Sequence, residues 1–305
     1  MKPTNKYIIL LSSLIVLLVS IFSCQRRDIE DLPTSSVFIK IDWKDNKAKT
    51  DFFYVLVYPR DSRLEVTKTF IESDGGYIQV PRGKFDIIIF SYDYEHIIVR
   101  QSDKFLGAYA TTSVSDPDRA YKSTDYVDLK SLLILNSTDE AFYTGVFENL
   151  EINDIGKEYK IEIAPKNVIK NYEIKIKVTN PDNIAKLYAI ISGFSGSYLM
   201  GSQTLANDLV AIHASMTLEG DYLVMPLNTF GKVRGSENIM TIKLILLSGE
   251  ERYYNFNTTN AINNLPNGGK IIMDSIVDIP VISGSGGIGG TVGDWGDEDG
   301  VDIVM

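Results

Sequence analysis

Two regions of the chain each begin with a run in which apolar and polar residues alternate. In residues 37–43 and again in residues 172–178, the apolar side chains fall on one face, the period-two pattern of a half-buried strand. Residues 52–58 are apolar on both faces, which is typical of a strand at the centre of a packed sheet. The pattern predicts a strand in each of these three segments.

Two further segments carry hairpin signals. Residues 75–90 hold two β-rich runs separated by a turn with Pro81 and Gly83, where proline presets φ and glycine accepts a positive φ. Residues 240–256 hold two runs separated by a polar turn around Gly249. We expect a β-hairpin in both segments.

Short strand-like runs continue along the chain, with little helical periodicity. Residues 103–128 are polar and irregular and predict a long loop, whereas residues 129–135 fit either a helix or a strand. Many short strands at close spacing are typical of all-β sandwiches. We therefore predict an all-β protein of two tandem sandwich domains, residues 37–165 and residues 166–283. The remaining strand candidates are residues 142–147, 159–163, 187–191, 222–225, 270–273 and 276–281.

The N-terminus has the pattern of an export signal. Lys2 and Lys6 precede an uncharged apolar run of 16 residues, 7–22, which is shorter than the roughly 20 residues of a bilayer-spanning helix. Ser23 and the single cysteine, Cys24, follow this run. The arrangement resembles a lipobox, in which the cysteine thiol receives a diacylglycerol and the chain is cut just before it.

We accordingly predict a lipoprotein signal peptide in residues 1–23 and a lipidated tether in residues 24–36. Cys24 would carry covalent diacylglycerol and acyl chains, and no other cofactor is expected. An ordinary signal peptide, or an uncleaved anchor, with a chance cysteine is the alternative.

The charge and the cysteine content of the chain exclude nucleic acid as an expected partner and disulfides as a source of stability. Without residues 1–23, 28 basic residues (30 minus Lys2 and Lys6) face 40 acidic ones, a balance of −12. Such a surface repels nucleic acid, which we do not expect as a partner. With Cys24 lipidated no thiol remains, so the fold must depend on apolar cores rather than on disulfides.

No residue pattern predicts an enzyme or a metal site. His96 and His213 each stand in a strand-like apolar context without a second histidine at metal-binding spacing. Residues 284–289 match G-x-G-x-x-G, but no strand–helix unit follows, as a dinucleotide site requires. The acidic residues 297–300 lack the remaining ligands of a calcium loop and are interpreted as a solvated turn.

Aromatic residues offer one candidate binding face. Tyr92, Tyr94, Tyr253 and Tyr254 are able to form an aromatic surface for sugars, although tyrosines in strands more often pack within a sheet. A glycan-binding role therefore stays open as an alternative.

The C-terminal tail, residues 284–305, differs from the rest of the chain. It holds eight glycines, five acidic residues and no basic residue. Its last five residues nevertheless have the alternation of a strand with one apolar face. We predict a possible assembly strand here, either added to a partner's sheet or folded back into its own domain. Its apolar residues are Trp295, Val301, Ile303 and Met305.

Several segments together resemble the fimbrillin-like lipoproteins of Bacteroidetes, a superfamily that contains fimbrial anchor and accessory subunits. They are the lipobox with the following Gln-Arg-Arg-Asp, "GGYIQVPRGKFDIIIFSYD", "NFNTTNAI", "IIMDSIVDIP" and the ending "TVGDWGDEDGVDIVM". The resemblance implies two tandem transthyretin-like Greek-key sandwiches, tethered by lipid to the outer membrane, with the cell surface as the expected side.

The same resemblance bears on assembly. Shaft subunits of this kind lose an N-terminal strand by cleavage after an arginine, whereas Arg26 and Arg27 lie directly beside Cys24. Cleavage here would release the protein from its anchor without removing a strand. We therefore expect a lipid-anchored anchor or accessory subunit with fimbrial subunits as partners, and keep a glycan-binding surface lipoprotein as the alternative.

Overall fold

The computed structural model describes residues 32–44, 49–61, 63–92, 94–115 and 132–280. Within these ranges the chain forms strands, one α-helix, α1 (Thr259–Asn264), and one turn of 3-10 helix at Pro181–Asn183. The prediction of an all-β sandwich protein is confirmed. The strands in chain order are β1 (Thr34–Ile41), β2 (Phe52–Pro59), β3 (Thr67–Glu72), β4 (Gly75–Pro81), β5 (Gly83–Ser91), β6 (Ile97–Arg100), β7 (Tyr109–Thr112), β8 (Leu133–Asn136), β9 (Tyr143–Ile152), β10 (Tyr159–Ile163), β11 (Lys166–Asn167), β12 (Lys170–Val178), β13 (Ile184–Ser195), β14 (Ser197–Leu199), β15 (Thr204–Leu205), β16 (Leu209–Ala214), β17 (Thr217–Glu219), β18 (Tyr222–Thr229), β19 (Ile239–Leu246), β20 (Glu251–Asn257) and β21 (Gly268–Val277).

The N-terminal half is one eight-stranded sheet folded on itself, in the order β10-β1-β4-β3-β2-β5-β9-β11. The two sides of this fold meet at β3 and β4, which share a single residue pair, Glu72 with Gly75. Alternate residues of β1, among them Ile39, then pack against residues of β2 and β5 such as Phe53 and Ile87 in one buried core. The predicted alternation in residues 37–43 thus marks the inner face of a sandwich.

Strands β2 and β5 are buried on both faces, as the pattern of residues 52–58 predicts. Val55 lies in the N-terminal core, while the neighbouring Leu56 faces a second core that also holds Val168, Met200 and Phe230. Residues from both halves of the chain form this second core. Burial of its apolar surface therefore joins the two halves.

The C-terminal half is a sandwich of two sheets, β17-β18-β12-β21 and β20-β19-β13-β16-β8. Their facing sides bury a third core, with Ile174 from β12 and Ile242 from β19 both fully enclosed. Helix α1 connects β20 to β21 and contributes Ile262 to this core. The chain therefore passes from one sheet to the other along one side of the sandwich.

Strand pairing crosses the expected division at residue 165 in three places, the first of which is the pairing of β11 with β9 in the N-terminal sheet. Strand β8 pairs in parallel with β16 of the C-terminal sandwich, with Ile134 opposite Ala211. Strand β7 pairs with β14, so the sheet β15-β14-β7-β6 takes two strands from each half. The boundary itself, like the transthyretin-like Greek-key topology, stays a prediction.

One predicted hairpin is wrong and the other is confirmed. Strand β4 pairs with β1 and β3, and β5 pairs with β2 and β9, so the turn at Gly83 leads from one side of the folded sheet to the other. We call this connection between β4 and β5 an arch. Its turn residues suit an arch as well as a hairpin, because both need a positive φ and Gly83 has φ 150°. Strands β19 and β20 do form the predicted antiparallel hairpin.

The predicted loop at residues 103–128 is partly wrong, because it contains β7. Of residues 129–135, which fitted either a helix or a strand, residues 133–135 belong to β8, and residues 129–131 lie outside the described residues. Both strands are only four residues long, too short for periodicity to reveal. Throughout the described ranges, no helix has the length and apolar character that membrane crossing requires.

Candidate functional site

The residues predicted to carry function lie outside the described residues. This applies to Cys24, the proposed lipidation position, and to Trp295, Val301, Ile303 and Met305 of the possible assembly strand. The described part of the chain does, however, hold the strand that leads into the C-terminal tail. It also shows which sheet edges a further strand is able to join.

Strand β21 is the longest edge strand of the C-terminal sandwich. It pairs in parallel with β12, and no described strand pairs with its other edge. Its inward residues, Ile271 and Met273, are buried in the core, whereas Ile272 and Ile276 are 50% and 57% exposed on the outer face. An edge strand with exposed aliphatic side chains is a ready template for pairing with another strand.

A tight approach and a bulge position β21 against β12. Gly268 has φ 91°, and a Cβ atom there would lie 2.3 Å from the carbonyl oxygen of Asn171. Farther along, the pairing register shifts between Met273 and Ile276, so a β-bulge separates the two exposed isoleucines. The first half of β21 therefore keeps a regular edge.

Side-chain hydrogen bonds fix the point where the chain leaves β21. The Nδ2 atoms of Asn180 and Asn183 donate to the carbonyl oxygens of Ile279 and Pro280, at 2.5 and 2.9 Å. The Tyr254 hydroxyl donates to the carbonyl oxygen of Asp278 at 3.0 Å. The chain is thus held as far as Pro280, against the residues that follow β12.

The edges formed by β20 and β10 are covered by polar side chains. On β20, the Glu251 carboxylate pairs at 3.1 Å with Lys243, whose ammonium also lies 5.4 Å from the ring centre of Tyr253. On β10, Glu162 pairs with Lys40 at 3.1 Å. Charged, satisfied edges of this kind discourage strand addition.

A cavity of about 480 Å³ is lined by residues of the C-terminal half, from Lys166 to Pro266. Its walls come from the start of β12, the β14–β15 turn, the segment after β18 and the end of α1. Four cationic residues line it and no acidic residue does, in a chain of net charge −10. The cations are Lys166, Lys170, Lys232 and Arg234.

The cations of this cavity are held by amides rather than by carboxylates. Lys232 Nζ donates to Asn263 Oδ1 at 2.7 Å, and Lys170 Nζ donates to Asn267 Oδ1 at 3.4 Å. Burial lowers the pKa of Lys232 below its usual value, an effect that the charge of Glu237 opposes. Within the described ranges no carboxylate forms an ion pair with any of the four cations, and Glu237 acts on Lys232 only from outside ion-pair distance.

The candidate tyrosines do not share a surface. Tyr92 and Tyr94 follow β5 and join an aromatic cluster in which the ring centroids of Tyr54 and Tyr92 are 5.2 Å apart. Tyr253 and Tyr254 lie on β20, in a different sheet. The structure therefore does not bring the four residues together as one sugar-binding face.

The histidines fill structural positions. His96 is exposed just before β6, and His213 is partly buried on β16 with its Nδ1 atom 3.2 Å from the Ser115 hydroxyl. Burial lowers the pKa of His213. The described residues hold no group of three or more histidine, cysteine or acidic side chains that could bind a metal ion.

Comparison with solved structures shows which class of proteins shares this fold. A crystal structure from Bacteroides ovatus ATCC 8483, described as a "putative adhesin", has a TM-score of 0.68 and 18% identity, covering 86% of this chain and 99% of that one. The fimbrial anchor protein Mfa2 from Porphyromonas gingivalis has a TM-score of 0.54 and 10% identity, covering 78% and 90%. The fold is thus that of Bacteroidetes fimbrial and adhesin-type proteins.

Sequence comparison identifies the family to which the chain belongs. The model of the family described as "Domain of unknown function (DUF5119)" matches residues 23–215, and the chain belongs to that family. A Bacteroides ovatus protein named "Putative fimbrium anchoring subunit Fim4B" is 24% identical over 344 aligned residues, which cover 98% of both chains. The resemblance to the fimbrillin-like family of Bacteroidetes is confirmed.

Proposed function

We propose that this protein is a structural anchor or accessory subunit of fimbriae in the bacterial cell envelope. It joins a neighbouring subunit by strand addition, with residues 291–305 as the assembly strand and the edge of β21 as the surface beside it. Its role is mechanical and not enzymatic.

Two similarities support a fimbrial role. The relative named as a fimbrium anchoring subunit aligns with this chain from end to end, so no large domain separates the two proteins. The fimbrial anchor Mfa2 shares the fold. A fimbrium-anchoring role places a protein at the cell envelope, and we assign this protein there.

The observation that carries the assembly proposal is the open apolar edge of β21. Asn180 and Asn183 hold the chain as far as Pro280, at the end of β21. A strand added to the edge of β21 would cover part of Ile272 and Ile276 with its own side chains, which contributes about 25 cal/mol per Å² of apolar area buried. An added strand gains main-chain hydrogen bonds at the same time.

Membrane attachment is the finer part of the proposal. We propose that Cys24 carries two or three acyl chains and holds the protein at the outer membrane, facing the cell surface. Each buried CH₂ contributes about 0.8 kcal/mol, so two or more chains anchor a protein stably where one chain does not. Cys24→Ala is expected to yield soluble or unprocessed protein, and mass spectrometry of the mature N-terminus tests this directly. An unmodified cysteine, or a mature end elsewhere, contradicts it.

Deletion of residues 291–305 tests the assembly strand. We expect the truncated protein to stay folded and membrane-associated and to stop co-purifying with fimbrial subunits. Circular dichroism and thermal unfolding report the fold, and fractionation reports the membrane. If the truncated protein unfolds, the segment is a strand of its own domain and the assembly role loses its support.

A further inference from the structure

The cavity lined by residues 166–266 has the composition of a binding site for an acceptor-rich anion. All four of its charged side chains are cations, and its amide residues are Asn167, Gln203 and Asn263. Such donors bind oxygen acceptors, and the charged ones favour anionic oxygens. Its volume of about 480 Å³ lies within the range of small-ligand pockets, roughly 300–1,000 Å³.

The polar donors of the cavity are held in place. The Oδ1 atom of Asn167 accepts from the backbone N–H groups of Phe142 and Ile169, at 3.2 and 3.0 Å, so its NH₂ group is left as a donor. Gln203 stands at a turn with φ 55°, an uncommon conformation for a residue other than glycine. A residue held in such a backbone conformation is a reason to look for a functional role.

One wall of the cavity is aromatic. The half-buried Tyr198 stacks on the buried Phe230, with ring centroids 6.3 Å apart and an interplanar angle of 22°. An aromatic wall beside several hydrogen-bond donors suits the C–H face and the oxygen atoms of a sugar ring. An aliphatic dicarboxylate would contact the cations but would not cover the ring of Tyr198.

A peptide strand does not fit this place equally well. The edge strands that border the cavity, β11 and β15, are two residues long each. Strand addition needs a longer run of unpaired backbone groups. The cavity is therefore suited to a compact ligand rather than to an extended peptide.

We propose that this cavity binds an acidic saccharide of one to three units, with Lys170, Lys232 and Arg234 as its anion-binding residues. The proposal is independent of the fimbrial role and of β21. The negative charge of the sugar comes from a carboxylate or from a sulfate ester, and the two sources share the same recognition chemistry.

Isothermal titration of the full mature chain tests the proposal. The probes are trigalacturonate, a sulfated disaccharide and a neutral galactose trimer. We expect binding of at least one acidic probe, weakening as salt is raised, and no binding of the neutral trimer. Whichever acidic probe binds more tightly identifies the source of the charge. Equal binding of acidic and neutral probes, or no binding of either acidic probe, overturns the proposal.

Charge-removing variants locate the site. Lys232→Gln and Arg234→Gln should each weaken binding at least about tenfold, the effect of losing one charge-assisted hydrogen bond. Lys177→Gln, at the exposed far end of β12, is the matched control and should change binding less than about twofold. Equal losses in all three variants mean that the probe binds the general surface, which contradicts the proposal.

The acidic tail of the chain is the competing occupant. If trigalacturonate and the sulfated disaccharide bind only after residues 284–305 are deleted, the cavity holds that segment and the saccharide proposal is wrong. Unchanged binding after the deletion supports the proposal.

Discussion

Strands β20 and β21 are neighbouring edges of the two sheets of one sandwich, yet their outer faces differ. On β20, Glu251, Tyr253 and Asn255 are joined to side chains of β19, including a 2.7 Å hydrogen bond from Thr241 to Asn255. On β21, Lys270 pairs with Glu173 of β12 at 3.4 Å, but Ile272 and Ile276 stand exposed, and no strand of the described residues pairs with the edge opposite β12. A closed edge and an open edge thus lie on the same side of the molecule.

The difference indicates where a partner adds. Both strands bury their inward residues in the same core, so core packing does not explain the outward residues. Polar side-chain pairs on an edge strand discourage a further strand from pairing with that edge, whereas exposed aliphatic residues favour such pairing. The open edge is also the one that leads into the C-terminal tail.

The largest expected effect comes from glycines that define the two edges. Gly268→Ala should lower the free energy of unfolding by more than about 3 kcal/mol, because its Cβ would clash with the backbone of Asn171 in addition to the strain at φ 91°. Gly249→Ala, in the β19–β20 turn, has the same sign of φ but open space around it and should cost about 1 kcal/mol. Denaturant unfolding of both variants measures the difference. Equal losses would mean that β21 does not pack as tightly against β12 as the structure has it.

A second pair of variants tests the turn of the arch at Gly83. Gly83→Val should cost roughly 1–2 kcal/mol, because φ is 150° and a Cβ would lie 3.3 Å from the Phe85 ring. Arg82→Ala changes an exposed residue and should shift stability by less than about 0.5 kcal/mol. Thermal unfolding distinguishes the two, and similar midpoints for both variants would contradict the positive-φ turn.

The arch at Gly83 also shows which features of the fold local sequence is able to predict. Alternation correctly predicted β1 and β12, and the two-faced apolar pattern correctly predicted that β2 is covered on both sides. The residues around Gly83 specify a turn but not which strands pair across it, because that depends on contacts distant in the chain. Short strands such as β8 take their conformation from a partner, here β16, and leave little local signal.

The candidate sites were harder to predict, because they too depend on contacts between residues distant in the chain. Ile272 stands in the apolar run Ile271–Met273, as in a strand covered on both faces, and only the sheet order reveals that β21 is an edge. The cavity gathers Lys166, Lys232 and Arg234 from segments more than 60 residues apart. Their charges have no common motif, so proximity appears only in the folded chain.

A smaller effect is expected at the opposite end of the five-stranded sheet, where β8 covers β16. Burial lowers the folded-state pKa of His213 below its ordinary value of 6.5, so the folded protein favours the neutral ring. Stability should be independent of this group above pH 6.5 and fall as the pH drops below it, because the unfolded chain then binds the proton more readily. His213→Gln should flatten that part of the pH profile of denaturant unfolding. An unchanged slope would show that other groups cause it.

The most direct measurement of the central claim is site-specific photocrosslinking on cells. A photoreactive residue is placed at Ile272 on the open edge or, as the matched control, at Leu247, which is 64% exposed in the β19–β20 turn. We predict that position 272 crosslinks to an extended segment of a fimbrial subunit, that position 247 does not, and that deletion of residues 291–305 abolishes the adduct. Equal crosslinking at both positions, or crosslinking of position 272 to residues 281–305 of the same chain, would contradict strand addition at β21.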